Sequence, residues 1–302
     1  MDFLERLKKI RRKIYIKTII IFLIFIGFLT LIICNSNNLS DVFQILIFML
    51  PLGLLFVNTI IKIFVIKKDK DIYNKIYKEN ILLYCLKEYF TNVEYKLSED
   101  DFHDGLLPEK FIEVAEDIKI SGGIIFNDYI SASYNNIKFE FVDIEMVEEL
   151  GRYEESSSGR NHTSFKGQWL VIETNKKIET NIQIFDKTFK GKKKDGLLSN
   201  KKYKETKTND IEFDNQFNIF MERKIDISNI ITPSIIEKIK RIKSNLGLKM
   251  FIYIMDNRIC ILLENKKDFF EPNVYKKIDI NEIKNKILNQ IKNIIELLDL
   301  NN

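Results

Sequence analysis

The side chains that could do chemistry in this chain are few and scattered. Histidine occurs twice, at His103 and His162. Neither lies in an H-E-x-x-H or other ligand spacing, so both read as surface histidines rather than ligands or bases. Cys34, Cys85 and Cys260 are odd in number, far apart and without a CxxC pair. That pattern argues against a disulfide framework and a thiolate zinc site, and it suits a reducing compartment. G-x-S-x-G, G-x-G-x-x-G and P-loop patterns are absent. Gly191–Gly196 is rich in Gly and Lys but lacks the closing Gly-Lys-Ser/Thr. Glu140, Asp143, Glu145, Glu148 and Glu149 form an acidic stretch able in principle to hold a hard cation. Acids alternating with apolar residues, however, read as the solvated face of a strand. Arg160 and Lys166 could meet an anion, but nothing in the sequence fixes their geometry. Catalysis needs a nucleophile or base oriented by a partner. No such grouping is present, so no catalytic residue, metal site or cofactor is expected.

Charge supplies the one unusual local feature. Lys187–Lys207 holds nine lysines against Asp195 and Glu205. Such a segment reads as an electrostatic arm for anionic lipid or an acidic partner, with Lys192, Lys193, Lys194, Lys201 and Lys202 as its contacts, or as a solvated loop in a lysine-rich chain. The whole chain carries a net charge of only +4. Residues 1–17 alone carry seven basic against two acidic side chains. Basicity is thus local, and a nucleic-acid partner is not expected.

These groups must be positioned by elements of two kinds. The chain has 302 residues, 45% hydrophobic and 30% charged, with 11 Gly and 4 Pro, which excludes a disordered or linker-dominated protein. Mean hydropathy is −0.13, an average over an apolar start and a polar remainder. Thr18–Cys34 carries no charge and reaches a full membrane span if Lys17 snorkels. Val42–Ile61 supplies a second span containing Gln44, Pro51 and Asn58. Asn35–Asp41 between them is a polar turn without Lys or Arg. Basic residues before the first span, and Lys62, Lys67, Lys68 and Lys70 after the second, place both termini in the cytoplasm by the positive-inside rule. The expected organisation is a basic tail (1–17), a transmembrane hairpin (18–66) and a cytoplasmic α+β domain (67–302) at the bacterial cytoplasmic membrane.

Within that domain Asp71–Phe90 reads as an amphipathic helix with Ile72, Ile76, Leu83, Leu86 and Phe90 on one stripe. Asn127–Asp128 marks a turn before a strand at Ile130–Tyr134. Ile137, Phe139 and Phe141 then alternate with polar residues, and the phase slips at Phe141–Val142, which suggests a β-bulge. Glu154–Lys166 reads as a polar loop. Further strands are expected at Gln168–Glu173, Asn181–Phe185, Asp210–Phe213 and Phe217–Glu222. Thr232 as N-cap, Pro233 at N1 and Gly247 at the end bound a helix. Lys249–Met255 and Arg258–Leu263 flank Asp256–Asn257 as a hairpin. Asp279 with Glu282 suggests a capping box for a final helix. Strands in runs, mostly antiparallel, with flanking helices read as α+β.

The post-membrane helix, Leu106-Leu107-Pro108, Asn136–Ile144, Phe165-Lys166-Gly167, Ile231-Thr232-Pro233 and Asp268-Phe269-Phe270-Glu271-Pro272 occur in an order that resembles a bacterial membrane-protein family known as domain of unknown function 3137. The resemblance covers most of residues 70–300. It implies a membrane-anchored protein with no assigned activity, and it carries no site residues over. The functional expectation is a membrane-anchored cytoplasmic binding, scaffold or regulatory module. Its partners would be the bilayer and a protein or second copy through the hairpin. The alternatives are a small oligomeric channel or transporter subunit, with Gln44, Pro51 and Asn58 lining a path, and a membrane-bound enzyme whose site matches no motif.

Overall fold

The computed structural model describes residues 2–34, 53, 66–98, 101–102, 108–111, 123–148, 162–174, 178–188, 203–223, 225–265 and 268–298. The chain divides into two compact units. One comprises Met1–Tyr84 with Glu271–Lys284, the other Cys85–Phe270 with Asn285–Asn302.

The first unit is helical. Helix α1 (Asp2–Cys34) joins the basic tail and the first apolar run in a single rod. Helix α2 (Lys67–Tyr77) packs on it, continued by a π-helical turn (Lys78–Leu82) and by α3 (Leu83–Tyr89). Leu7 and Ile14, two turns apart on α1, are buried, as are Tyr73, Ile76 and Tyr77 of α2. The π turn, with its extra residue, rotates the stripe expected from a regular 3.6-residue period. Before that turn Ile72 is exposed and Tyr73 lies inside with Ile76; within it Ile81 and Leu82 lie inside. Among the described residues no helix is long and apolar enough to cross a membrane. The uncharged run Thr18–Cys34 measures about 25 Å as a helix, short of a hydrocarbon core of about 30 Å. Lys17, whose snorkelling would extend it, is engaged by Asp69 at 2.6 Å. The second expected span lies outside the described residues apart from Gly53.

In the second unit, among the described residues, nine antiparallel strands form one sheet in the order β1-β2-β3-β4-β9-β8-β5-β7-β6. The strands are β1 (Thr91–Ser98), β2 (Gly123–Tyr134), β3 (Ile137–Glu148), β4 (His162–Glu173), β5 (Ile182–Asp186), β6 (Lys204–Thr206), β7 (Phe217–Met221), β8 (Lys249–Met255) and β9 (Arg258–Glu264). Three further helices are α4 (Ile211–Gln216), α5 (Pro233–Leu246) and α6 (Ile280–Leu298). The α+β expectation holds at this level.

Both faces of the central strands are buried, and this explains the misread phase in β3. Ile137, Phe139 and Phe141 lie on one face and Val142, Ile144 and Met146 on the other, and all six are buried. Pairing is regular through Phe141↔Leu170 and Val142↔Trp169. The β2–β3 ladder does carry a bulge at this point, but its extra residue is on β2, between Asn127 and Ile130, which pair with Asp143 and Phe141; β3 itself continues regularly and its apolar residues simply change faces. A second register shift falls between Met146 and Val147. Asn127–Asp128 is thus a bulge within one strand rather than a turn. The β2–β3 turn is Asn135–Asn136, with φ of 49° and 63°, the positive values a tight hairpin requires.

Three other expectations change. Asp210–Phe213 is not a strand: Asp210 accepts the Phe213 N–H at 2.9 Å and caps α4. The expected loop ends early, because His162–Lys166 already belongs to β4. At α6, Asp279 accepts the N–H groups of Asn281 and Glu282, while the Glu282 carboxylate pairs with Lys276. Helix α5 forms as read, with Thr232 accepting the Ile235 N–H and Gly247 at φ 63° closing it. Lys243 fastens α5 to the sheet by pairing with buried Asp186 at 2.9 Å and lying over the Phe217 ring.

Candidate functional site

The sheet unit encloses a polar island at strands β1 to β4. In β2 the bulge turns Asp128 inward at φ 54°, a left-handed conformation that Asp tolerates better than most residues. Asp128 is fully buried, and the Tyr95 hydroxyl of β1 donates to its carboxylate. On β3, Asp143 stands opposite Asn127 and is 1% exposed. Gln168 of β4, its cross-strand partner, donates to Asp143 Oδ1 at 2.8 Å. The backbone N–H of Phe269 donates to Oδ2 at 2.9 Å.

Burial pushes the Asp143 carboxyl up to about 8, and the neighbouring Asp128 charge adds to the rise. The Phe269 and Gln168 donors oppose it, and Asp268 reinforces it. Asp143 therefore holds a proton near neutral pH, where an exposed aspartate does not.

The segment above the island is tied at several points. Lys166 pairs with Asp268 at 3.3 Å and with Glu145 at 3.4 Å. Gln290 of α6 donates to the Phe269 carbonyl. Phe269 and Phe270 pack on Phe141 and on each other. Beside Lys166, Gly167 admits no side chain, since a Cβ there would sit 1.9 Å from the Leu263 carbonyl oxygen. This close approach lets the Asn265 N–H reach the Lys166 carbonyl at 2.9 Å. The Asn136–Ile144, Phe165-Lys166-Gly167 and Asp268-Phe269-Phe270 segments therefore meet around Asp143, although they are far apart in the chain.

On the opposite face a second network joins Lys110 to Glu140 and Glu173. Burial works against the Lys110 ammonium, but the two carboxylates outweigh it and raise its pKa. Tyr129 is raised as well, by burial and then by the Glu140 charge.

The acidic stretch is thus not a single wet face. Asp143 is buried, Glu140 is engaged by Lys110, and Glu145 is engaged by Lys166. Glu148 lies in β3 opposite His162. Glu149, Arg160 and His103 lie outside the described residues, as do Lys192, Lys193, Lys194, Lys201 and Lys202. Among the described residues no group of three or more His, Cys, Asp or Glu is placed to hold a metal ion. Cys85 and Cys260 are buried thiols. Asp128 was missed because its inward turn depends on a bulge, and Asp143 was read as part of a solvated face because its Phe269 partner is 126 positions away.

The family match takes in β4 and the covering segment of this island but not Tyr95, Asp128 or Asp143. Residues 163–300 match the family model described as "Protein of unknown function (DUF3137)". No curated protein matches the chain. Among solved structures, the crystal structure of the mycobacterial trehalose monomycolate transport factor A, TtfA, is similar at 7% sequence identity and a TM-score of 0.36. The match covers 74% of this chain and 94% of that one. A likeness at that score carries no argument about what this chain does.

Proposed function

We propose that the chain is a membrane-anchored, non-enzymatic module whose N-terminal hairpin holds a cytoplasmic sheet unit that binds a partner or assembles with a second copy. The observation that supports this reading is the way the first unit turns back on α1. Phe25 of α1 lies against Gly53, whose Cβ would meet the ring at 2.4 Å. Lys13 and Lys17 both reach Asp69, at 2.9 and 2.6 Å. The Arg11 charge acts on Tyr73. Positions fall along α1 as they rise in the returning chain, which is the register of an antiparallel hairpin. Its ends meet on one side, at a carboxylate with two lysines.

Beyond that clamp, α1 exposes Ile19, Ile20, Leu23 and Ile24, an apolar surface that water disfavours at about 25 cal/mol per Å². A bilayer that thins locally accommodates the short uncharged run at a cost of fractions of a kcal/mol per Å. Exposed Tyr15 beside Lys13 and Lys17 suits the headgroup level, where aromatic and basic side chains collect.

The test is cysteine labelling in sealed cells with an impermeant maleimide. Cys85 and Cys260 are buried and stay silent, so the reporters are native Cys34 and an added Ser234→Cys on the exposed start of α5. Cys34 should label from outside and Ser234→Cys only after the membrane is opened. Labelling of Ser234→Cys in sealed cells would overturn the topology. Release of the chain from membranes by alkaline carbonate would overturn the anchor.

A further inference from the structure

We propose that Asp143 and Asp128 form a proton-controlled fastener, holding Asp268–Phe270 on the sheet while Asp143 is neutral and releasing it once both carboxylates are charged. The segment it holds comprises the last residues of the sheet unit before the chain passes into Glu271–Lys284, which belong to the other unit. The polar anchors on that segment among the described residues converge on one place. Asp143 takes the Phe269 N–H, Gln290 donates to the Phe269 carbonyl, and Lys166 takes the Asp268 carboxylate.

The groups facing Asp143 explain why it responds to protons. From β2 comes the buried carboxylate Asp128, from β4 the neutral amide of Gln168, and from the held segment the Asp268 carboxylate and the Phe269 N–H. Tyr95 of β1 is committed to Asp128. Lys166 of β4 is shared between Glu145 of β3 and Asp268. From α6, Gln290 reaches the Phe269 carbonyl. Donors to Asp143 are thus neutral, and its nearby charges are mostly of its own sign. Ionisation in place is costly, and the relief is to let water reach the carboxylate by lifting the segment off.

The direction of the pH effect follows. When the segment lifts, Asp143 returns to the ordinary carboxylate range; when it closes, it prefers its proton. The released fraction therefore grows with pH, by up to about tenfold per unit between that range and about 8, and then levels.

Hydrogen–deuterium exchange on the full chain in detergent reads this directly. Uptake is followed in the peptide carrying Asp268–Phe270 from about pH 5.5 to about pH 8.5, corrected for the chemical exchange rate, with β5 as internal reference. Protection of Asp268–Phe270 should fall by at least about threefold per pH unit up to about pH 7.5 and then level, while β5 stays flat. Asp143→Asn should abolish the slope; rotation of the Gln168 amide lets the introduced carboxamide keep a cross-strand hydrogen bond. Asp128→Asn, a residue type that tolerates the positive φ, should move the levelling point to lower pH because a like charge is gone. A flat wild-type profile, an equal slope in β5, or an undiminished slope in Asp143→Asn would overturn the fastener. Should Asp143→Asn not fold, an unchanged levelling point in Asp128→Asn overturns it equally.

Discussion

Two aspartates, one in each unit, are both little exposed, yet only Asp143 lies deep, and they end in opposite states of charge. Asp69 in the helical unit is 5% exposed and Asp143 in the sheet unit 1%. Burial pushes both upward, but hydrogen bonds and charge from Lys17 and Lys13 carry Asp69 below the usual carboxylate range. Asp143 has an amide, a backbone N–H and another carboxylate, and it rises to about 8. Desolvation opposes charge on both, more so at the deeper Asp143, and only Asp69 has cationic partners to offset it. Asp69 is therefore a fixed charge joining two helices, whereas Asp143 is a group whose charge can change under ordinary conditions.

The comparison can be broken most severely at Gly167. Gly167→Ala would place a methyl group against the backbone of β9, which cannot yield as a flexible side chain would. The expected cost is about 3 kcal/mol or more, seen as a fall of roughly 6–12 °C in the melting temperature of the sheet unit. Hydrogen exchange in α1 and α2 should be affected far less. Equal loss in both units would mean that they melt as one.

A smaller effect sharpens the comparison through pH. Asp69 has a lowered folded pKa, so its stabilisation is present above the unfolded value and is lost as pH falls through the folded one. Asp69→Asn should therefore cost about 1–3 kcal/mol near neutral pH, by removing charge-assisted bonds, and progressively less as pH falls through the lowered folded pKa. Asp143 has the reverse linkage: its contribution is greatest in acid and declines toward about pH 8. Asp143→Asn should accordingly gain on wild type as pH rises. Thermal melts of the two variants across pH should diverge in opposite directions, and parallel curves would refute the contrast.

The smallest effect on stability is expected from the lysine arm. Replacing Lys192, Lys193, Lys194, Lys201 and Lys202 with Gln should shift melting by less than about 0.5 kcal/mol. Binding to anionic vesicles should weaken, most clearly at low salt where screening is least. Equal vesicle binding by the variant and wild type would leave a solvated loop.

What could be read from the sequence was local. Thr232, Pro233 and Gly247 bound α5 because caps act within one turn, and Asp256–Asn257 joins β8 to β9 because a two-residue turn needs only its neighbours. Asp210 shows where local reading fails: a short apolar alternation at Ile211 and Phe213 imitates a strand, but the capping carboxylate makes the helical turn. In β3 the pattern was misread because both faces are buried, so polarity no longer reports which way a side chain points. The island at Asp143 was invisible for a different reason. Its inward turn depends on a bulge at Asn127–Ile130, and its key donor comes from a backbone N–H, which leaves no mark on residue type. Gly167 was visible as part of a recurring segment, but its steric reason emerges only when β9 lies beside it.

The pairing of β4 with β9 also bears on how the chain is made. Strands β1 to β4 leave the ribosome as a four-stranded meander, yet the bare side of β4 finds its neighbour only when Arg258–Glu264 has been synthesised. Throughout that interval Trp169, Leu170 and Ile172 sit on an unpaired edge, an open template for another nascent chain. Closing the sheet across so long a stretch makes for slow folding compared with a local hairpin. Translation speed over residues 174–257, and the holdases that meet the chain there, should therefore govern the yield of folded protein more than the stability of the finished sheet does.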